Sequence, residues 1–345
     1  IPNPYTTPIT GSLIEQIKHI SCYSPVPKVT DLMFNTNNNN SVTSLEGIEY
    51  FYNLETLTIN GTSEITDLYP LSGLEKLTKV DIKSSKISDI SPLRFNTRLQ
   101  RVILDNNSIT DLSPLAEHKA LREVSLRYQA PDYITDISPL ANKIALTTLD
   151  LQGNKIENIQ ALANSYLRIL NLKDNRLTSI EALRSVRTLE KITIDINQIS
   201  DLTPLSSSLA SLHVVNAAHN SITDLEFITG PMPMLTGLNV SDNQITDVSP
   251  ITRIEPRGQK KLELLLDQNN ITDVQVLNDL ADLGRIFTLR LSYNCIADVD
   301  HIRFLYDKSR IPNVFIGRQC VDRHAYTEEN TSSHVVNRDL ILPAP

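Results

Sequence analysis

The chain has 345 residues, 40% of them hydrophobic but only 5% aromatic and none of them tryptophan, so a core must rest on Leu, Ile and Val. Its 40 Asp and Glu outnumber 32 Lys and Arg, giving a net charge of -8; no basic run interrupts that balance, which argues against a nucleic-acid partner. No apolar stretch approaches the roughly 18 residues of a membrane span, so membrane insertion is not expected.

The first predicted element is a helix. In SLIEQIKHI, residues 12–20, Leu13, Ile14, Ile17 and Ile20 recur at helical spacing, and residues 1–28 read as an N-terminal helical cap. From residue 29 the chain repeats itself. ITDLYPL (65–71), ISDISPL (87–93), ITDLSPL (109–115), ITDISPL (134–140), ISDLTPL (199–205) and ITDVSPI (245–251) are copies of one heptapeptide. Catalytic residues converge on one substrate and are normally written once, so this repetition indicates architecture. Taking the opening isoleucine as a ruler gives Ile65, Ile87, Ile109, Ile134, Ile156, Leu177, Ile199, Ile222, Ile245, Ile271 and Ile296. Most gaps are 21 to 23 residues, with longer ones of 25 and 26. Val42 fits in front and Val321 behind, for about twelve full repeats and one partial one.

Each letter has a physical reason. Upstream of the ruler lies LxxLxLxxN, as in LTTLDLQGNKI (146–156); its alternation predicts a short strand with one buried face. Asn107, Asn154, Asn175, Asn197, Asn220, Asn243, Asn269 and Asn294 follow the strands, and an amide carries both donors and an acceptor, so stacked Asn side chains can satisfy buried backbone groups. The Asp of ITDLSPL is placed to accept from backbone N–H groups of the next turn, where Pro suits the start of a helical segment. One such coil cannot bury its own leucines, whereas a stack can. The fold expected is an α/β repeat solenoid over residues 29–321: a curved leucine-rich repeat horseshoe of about 12 to 13 coils, with a parallel sheet on the concave face and short 3₁₀ or α turns on the convex face. Residues 322–345 fall outside the pattern and read as a C-terminal cap or the start of a following domain.

The pattern LxxLxLxxNxIxDIxPL at 22-residue spacing resembles the internalin-type leucine-rich repeat, a class shared with the leucine-rich regulatory subunit of protein phosphatase 1. The resemblance covers roughly residues 29–321. It implies a secreted or surface-attached protein whose concave sheet binds a receptor, with a helical N-cap and an immunoglobulin-like segment after the repeats. NKIENIQAL (154–162) and NRLTSIEAL (175–183) look more like the intracellular phosphatase-regulator type, which keeps a cytoplasmic scaffold or regulator open as the alternative.

In this frame the residues between and after the strand leucines face the concave side. Lys83, Asp105 and Arg127, with Lys173 and Asp195, are expected as exposed ladders of alternating charge. Leu265, Arg290, Tyr293 and Phe315 bring together Tyr, Arg and Phe, types enriched in binding hot spots and interfaces, and Asn171, Asn216 and Asn239 form a polar run beside them. Extra residues in a solenoid emerge as edge loops. Tyr128 and Tyr133 flank one insertion, and Arg253, Arg257, Lys260 and Lys261 sit in another. Cys295 and Cys320 occupy the same place in adjacent coils, where stacking at about 5 Å falls inside the Cα window of a disulfide; they are read either as a bridge or as two free thiols, with Cys22 left unpaired. No HExxH, GxSxG, Walker loop or dinucleotide fingerprint occurs. The expectation is a monomeric, non-enzymatic recognition or adhesion module without a cofactor, taking a protein receptor or a surface glycan.

Overall fold

The computed structural model describes residues 29–35, 42–61, 63–258, 260–297, 305, 311–317 and 319. The N-terminal helical cap over residues 1–28, Cys320 and the segment 322–345 lie outside them. The chain forms two compact units, Ile1–Leu177 and Thr178–Pro345.

The first unit carries β1 (Asp31–Asn35), β2 (Thr56–Asn60), β3 (Lys79–Ile82), β4 (Arg101–Ile103), β5 (Glu123–Ser125), β6 (Thr148–Asp150) and β7 (Ile169–Asn171). They pair in parallel and in sequence order. The second carries β8 (Lys191–Thr193), β9 (Val214–Asn216), β10 (Gly237–Asn239), β11 (Leu262–Leu265), β12 (Ile286–Arg290) and β13 (Asn313–Phe315), again parallel and consecutive. Each crossover is short because each coil is short, and the return path runs through a 3₁₀ segment such as Ser113–Leu115 or Thr203–Ser208. One of the longer coils uses its extra length for a helix, α1 (Gln275–Asp282). The leucine-rich repeat solenoid expected from the repeat is thus the fold observed.

Register explains the core. Leu57, Val80, Val102, Val124, Leu149 and Leu170 occupy one row of the first unit, and Ile192, Val215, Leu238, Leu264 and Leu289 one row of the second; all are buried. Burying each such side chain contributes about 1.5 to 3 kcal/mol, and a coil gains it only by having a neighbour.

The repeated asparagines join coil to coil. Asn154 Nδ2 donates to the Leu126 carbonyl of the preceding coil and to Leu151 of its own, each at 2.9 Å, while its Oδ1 accepts the Ile134 N–H at 3.1 Å. Asn107, Asn243 and Asn294 repeat the arrangement. Gln129 and Gln319 take the same role where Asn is missing. The turn aspartates behave as their position suggests: Asp111, Asp136 and Asp247 each accept the N–H two residues on at 2.7 to 2.8 Å. Proline is the second residue of the 3₁₀ segment that follows, as in Ser113–Leu115 and Ser249–Arg253.

Just before each stacked amide the chain turns through positive φ. Asn106, Tyr128, Gly153, Asp174, Ile196, His219, Asp242, Gln268 and Tyr293 all lie there, with φ between 52 and 69°. In each unit these residues follow the C-terminal ends of the strands, and they include Tyr128 in the first unit and Tyr293 in the second.

Candidate functional site

In the second unit the strand register places Asn216, Asn239, Leu265, Arg290 and Phe315 in one row across five strands. Leu265 is half-buried, whereas Arg290 and Phe315 are exposed. The Arg290 guanidinium carbon stands 5.7 Å from the centre of the Phe315 ring, within cation–π range. Arg290 Nε donates to Asp267 Oδ2 at 2.7 Å, and the other carboxylate oxygen of Asp267 accepts the Ser292 N–H at 2.8 Å. Asp267 is itself buried, so it fixes the arginine to the backbone of its own strand. The result is a flat cation held against an aromatic ring with its outer edge turned to solvent.

Tyr293 stands at the C-terminal edge of β12, exposed and at φ 59°. At the other end of that strand Phe287 is 48% exposed. The pairing of β11 with β12 slips between Leu262 and Glu263, and the additional residue in β12 is Phe287. A bulge of this kind re-aims a side chain. Phe287 and Arg290 therefore stand exposed on one strand, with Tyr293 in the turn just after it. Sequence reasoning missed Phe287 because simple alternation cannot register a bulge; its signal was an extra residue between the leucine-type positions.

The asparagines of the row are less available. Asn239 Oδ1 accepts the Ser241 N–H at 3.1 Å, and in the first unit Asn171 does the same for Lys173. The basic loop is also engaged. Arg253 Nη1 donates to the Ile228 carbonyl at 2.9 Å and lies 3.4 Å from Glu226, the Arg257 N–H donates to the Pro233 carbonyl, and the Lys260 ammonium lies 3.8 Å from the Met234 sulfur. Lys261 is exposed.

In the first unit the expected exposed charge ladder takes another form. Asp105 is 1% exposed and accepts from Ser125 Oγ, from the Arg127 N–H, and from Arg127 Nε and Nη2 at 2.6 to 3.1 Å. The side-chain bonds to Asp105 first, and then its charge, raise the pKa of Arg127. The pair is a buried carboxylate with a bidentate lid, because Asp105 lies inside the turn between coils. Lys79 and Lys83 pair with Asp81 instead, at 3.3 and 3.4 Å. Asp150, on the same face, has its pKa raised chiefly by burial.

The two loop tyrosines take different partners. The Lys155 ammonium lies 4.2 Å from the Tyr133 ring centre. Tyr128 lies over Gly153 of the next coil, and its hydroxyl accepts from Gln152 Nε2. Cys295 is disulfide-bonded; the expected partner, Cys320, is outside the described residues. Among the described residues no group of three or more His, Cys, Asp or Glu side chains is arranged to hold a metal ion, and no helix is long and apolar enough to cross a membrane.

The family described as Leucine Rich repeat matches residues 145–159, 163–180 and 232–249. Among solved structures, an internalin (inlF) from Listeria monocytogenes is 30% identical, with a TM-score of 0.77 over 89% of this chain and 88% of that one. The chain belongs to the internalin family. A leucine-rich repeat protein of Leptospira interrogans shares the fold at 22% identity, with a TM-score of 0.64 over 81% of this internalin and 76% of that chain. So does the functional domain of InlJ from Listeria monocytogenes, at 19% identity and a TM-score of 0.53 over 82% and 70% respectively. Among curated protein sequences nothing matches this internalin significantly.

Proposed function

We propose that this internalin is a non-enzymatic, extracellular recognition module that binds a protein partner through the sheet face of its second unit. The observation that carries the reading is the set of outward aromatic and arginine side chains on β12 and β13. Phe287, Arg290, Tyr293 and Phe315 are residue types enriched at protein interfaces, Arg and Tyr at their hot spots, and here they stand exposed on two strands and the turn after one of them rather than in a core. Their order matters energetically. A side chain already held in its binding geometry loses little entropy on association, and Arg290 is held by Asp267 and Phe315. The disulfide at Cys295 supports an oxidising compartment, since such bonds are rare in a reducing cytosol.

The test compares the intact chain with a Phe287→Ala, Arg290→Ala, Phe315→Ala variant, each immobilised and exposed to solubilised surface proteins of cells that the source organism contacts. The expected outcome is at least one protein retained by the intact chain and lost from the variant, since each anchor is worth roughly 2 kcal/mol. Equal retention by both would remove this face from the reading.

A further inference from the structure

A second surface, on the first unit, points to a different ligand. Tyr128 leaves β5 at φ 52° and its ring packs on Gly153 of the next coil. The contact is so close that a Cβ built on Gly153 would stand 2.1 Å from Tyr128 Cδ1 and 2.3 Å from Cε1. Only glycine leaves room for the ring at that place, and Gly153 is the one glycine among the nine positive-φ residues that precede a stacked amide. The contact with Gly153 and a hydrogen bond from Gln152 at its hydroxyl hold the ring, which is still 40% exposed. Two amides continue the surface. Asn171 Nδ2 donates to Gln152 Oε1 at 3.2 Å, and Asn171 Oδ1 accepts the Lys173 N–H at 3.1 Å. Asn171 also hydrogen-bonds the Asp150 carboxylate, so Gln152 keeps one N–H and each amide oxygen keeps one acceptor lone pair. The Arg127 charge is already matched by Asp105, and the Asp150 carboxylate borders both amides, so the surface does not select an anion.

A fixed aromatic ring bordered by amides and a carboxylate, which between them donate and accept, is complementary to one class of ligand. A pyranose ring offers an apolar face of C–H bonds to lie on the aromatic plane and a rim of hydroxyls that also donate and accept. We propose that Tyr128, Gln152 and Asn171 form a binding site for one hexopyranose residue of a neutral oligosaccharide, with Tyr128 as the platform and Gly153 as its seat. The site is independent of the protein-binding face on the second unit.

Saturation-transfer NMR on the whole chain tests it, with maltohexaose, cellohexaose, mannohexaose and N-acetylchitohexaose as probes. At least one probe should show transfer to ring C–H protons, and its binding should weaken about tenfold in Tyr128→Ala, the size of effect expected for one aromatic anchor. Gly153→Ala, which displaces the ring while leaving Tyr128 in the chain, should do the same. The Phe287→Ala, Arg290→Ala, Phe315→Ala variant should bind the probe unchanged. No transfer from any of the four probes overturns the proposal, as does undiminished transfer in a folded Tyr128→Ala chain. Gln152→Ala leaves the platform's backbone intact and serves if Tyr128→Ala does not fold; undiminished binding there is equally fatal.

Discussion

At the scale of single residues, two side chains sit against their own chemistry. Ile196 adopts φ 56° although it is β-branched, and it is exposed. Positive φ places its Cβ against the neighbouring carbonyl at a cost of about 1 kcal/mol or more, with little burial in return. Asn106 occupies the equivalent place before a stacked amide at φ 55°, and Asn tolerates that region. Ile196→Asn should therefore stabilise the chain by about 1 kcal/mol; a lower urea midpoint with an unchanged slope would contradict the strain argument. His118 presents the opposite problem. It is fully buried, its Nε2 donating to the Leu93 carbonyl at 3.0 Å while Nδ1 meets no partner among the described residues. Burial is the main cause that holds its pKa below the ordinary 6.5, and the neighbouring Lys143 charge adds to it. Because the folded imidazole resists a proton that the unfolded one accepts, its stabilising contribution is whole above about pH 6.5 and is lost as the pH falls through the depressed folded pKa. Asn96, its counterpart one coil earlier, donates to the Leu71 and Leu74 carbonyls without titrating. Thermal melts at pH 7.5 and 5.5 should show His118→Asn losing less on acidification than the intact chain, and parallel losses would assign the acid sensitivity elsewhere.

At the scale of the repeating element, the two conserved-looking polar letters of the repeat differ in worth because they differ in burial. Asn154 is buried and serves groups in two coils, so Asn154→Ala strands a buried N–H and two carbonyls and should cost about 2 to 4 kcal/mol. Asp136 is exposed and accepts from one N–H and one hydroxyl of a single turn; Asp136→Ala should cost only about 1 kcal/mol. Denaturant midpoints that ranked the two in reverse would show that the turn, not the amide stack, governs coil stability. The same contrast explains what a reader of the chain could see. Both letters recur at fixed spacing, so strand, corner and 3₁₀ turn were legible from residues such as Asn107 and Asp111. Gln129 and Gln319 do the work of Asn with a longer arm, and a pattern sought by letter passes over them. Leu265, Arg290 and Phe315 were legible as one row because strict alternation put them there. Phe287 was not, since the bulge that exposes it breaks alternation. The seat of Tyr128 was hidden for another reason: it depends on a glycine 25 residues later, a meaning that exists only once both coils are in register.

At the scale of the whole molecule, a repeat array differs from an ordinary globule in how far a perturbation travels. Within a unit each strand pairs with the strands before and after it, as the pairing of β8 with β9 and of β12 with β13 illustrates, so stability is expected to be a sum of local terms and nearest-neighbour interfaces. The disulfide at Cys295 supplies a way to test this within the second unit, because it acts on the coil of β12. A disulfide contributes typically about 2 to 4 kcal/mol, and in an array that contribution should stay close to where it is made. Mild reduction followed by amide hydrogen exchange should accelerate exchange in Ile286–Arg290 and Asn313–Phe315 by about tenfold or more, since each 1.4 kcal/mol is a factor of ten. Lys191–Thr193 and Val214–Asn216 should keep their protection. Uniform acceleration from β8 to β13 would mean that the unit opens as one cooperative body and that the nearest-neighbour description fails. Unchanged exchange everywhere would mean that the bridge adds nothing to the coils beside it. The predicted gradient would further imply that Arg290 and Phe315 lose their fixed geometry on reduction, so partner binding through them should weaken under the same conditions that leave the Tyr128 surface intact.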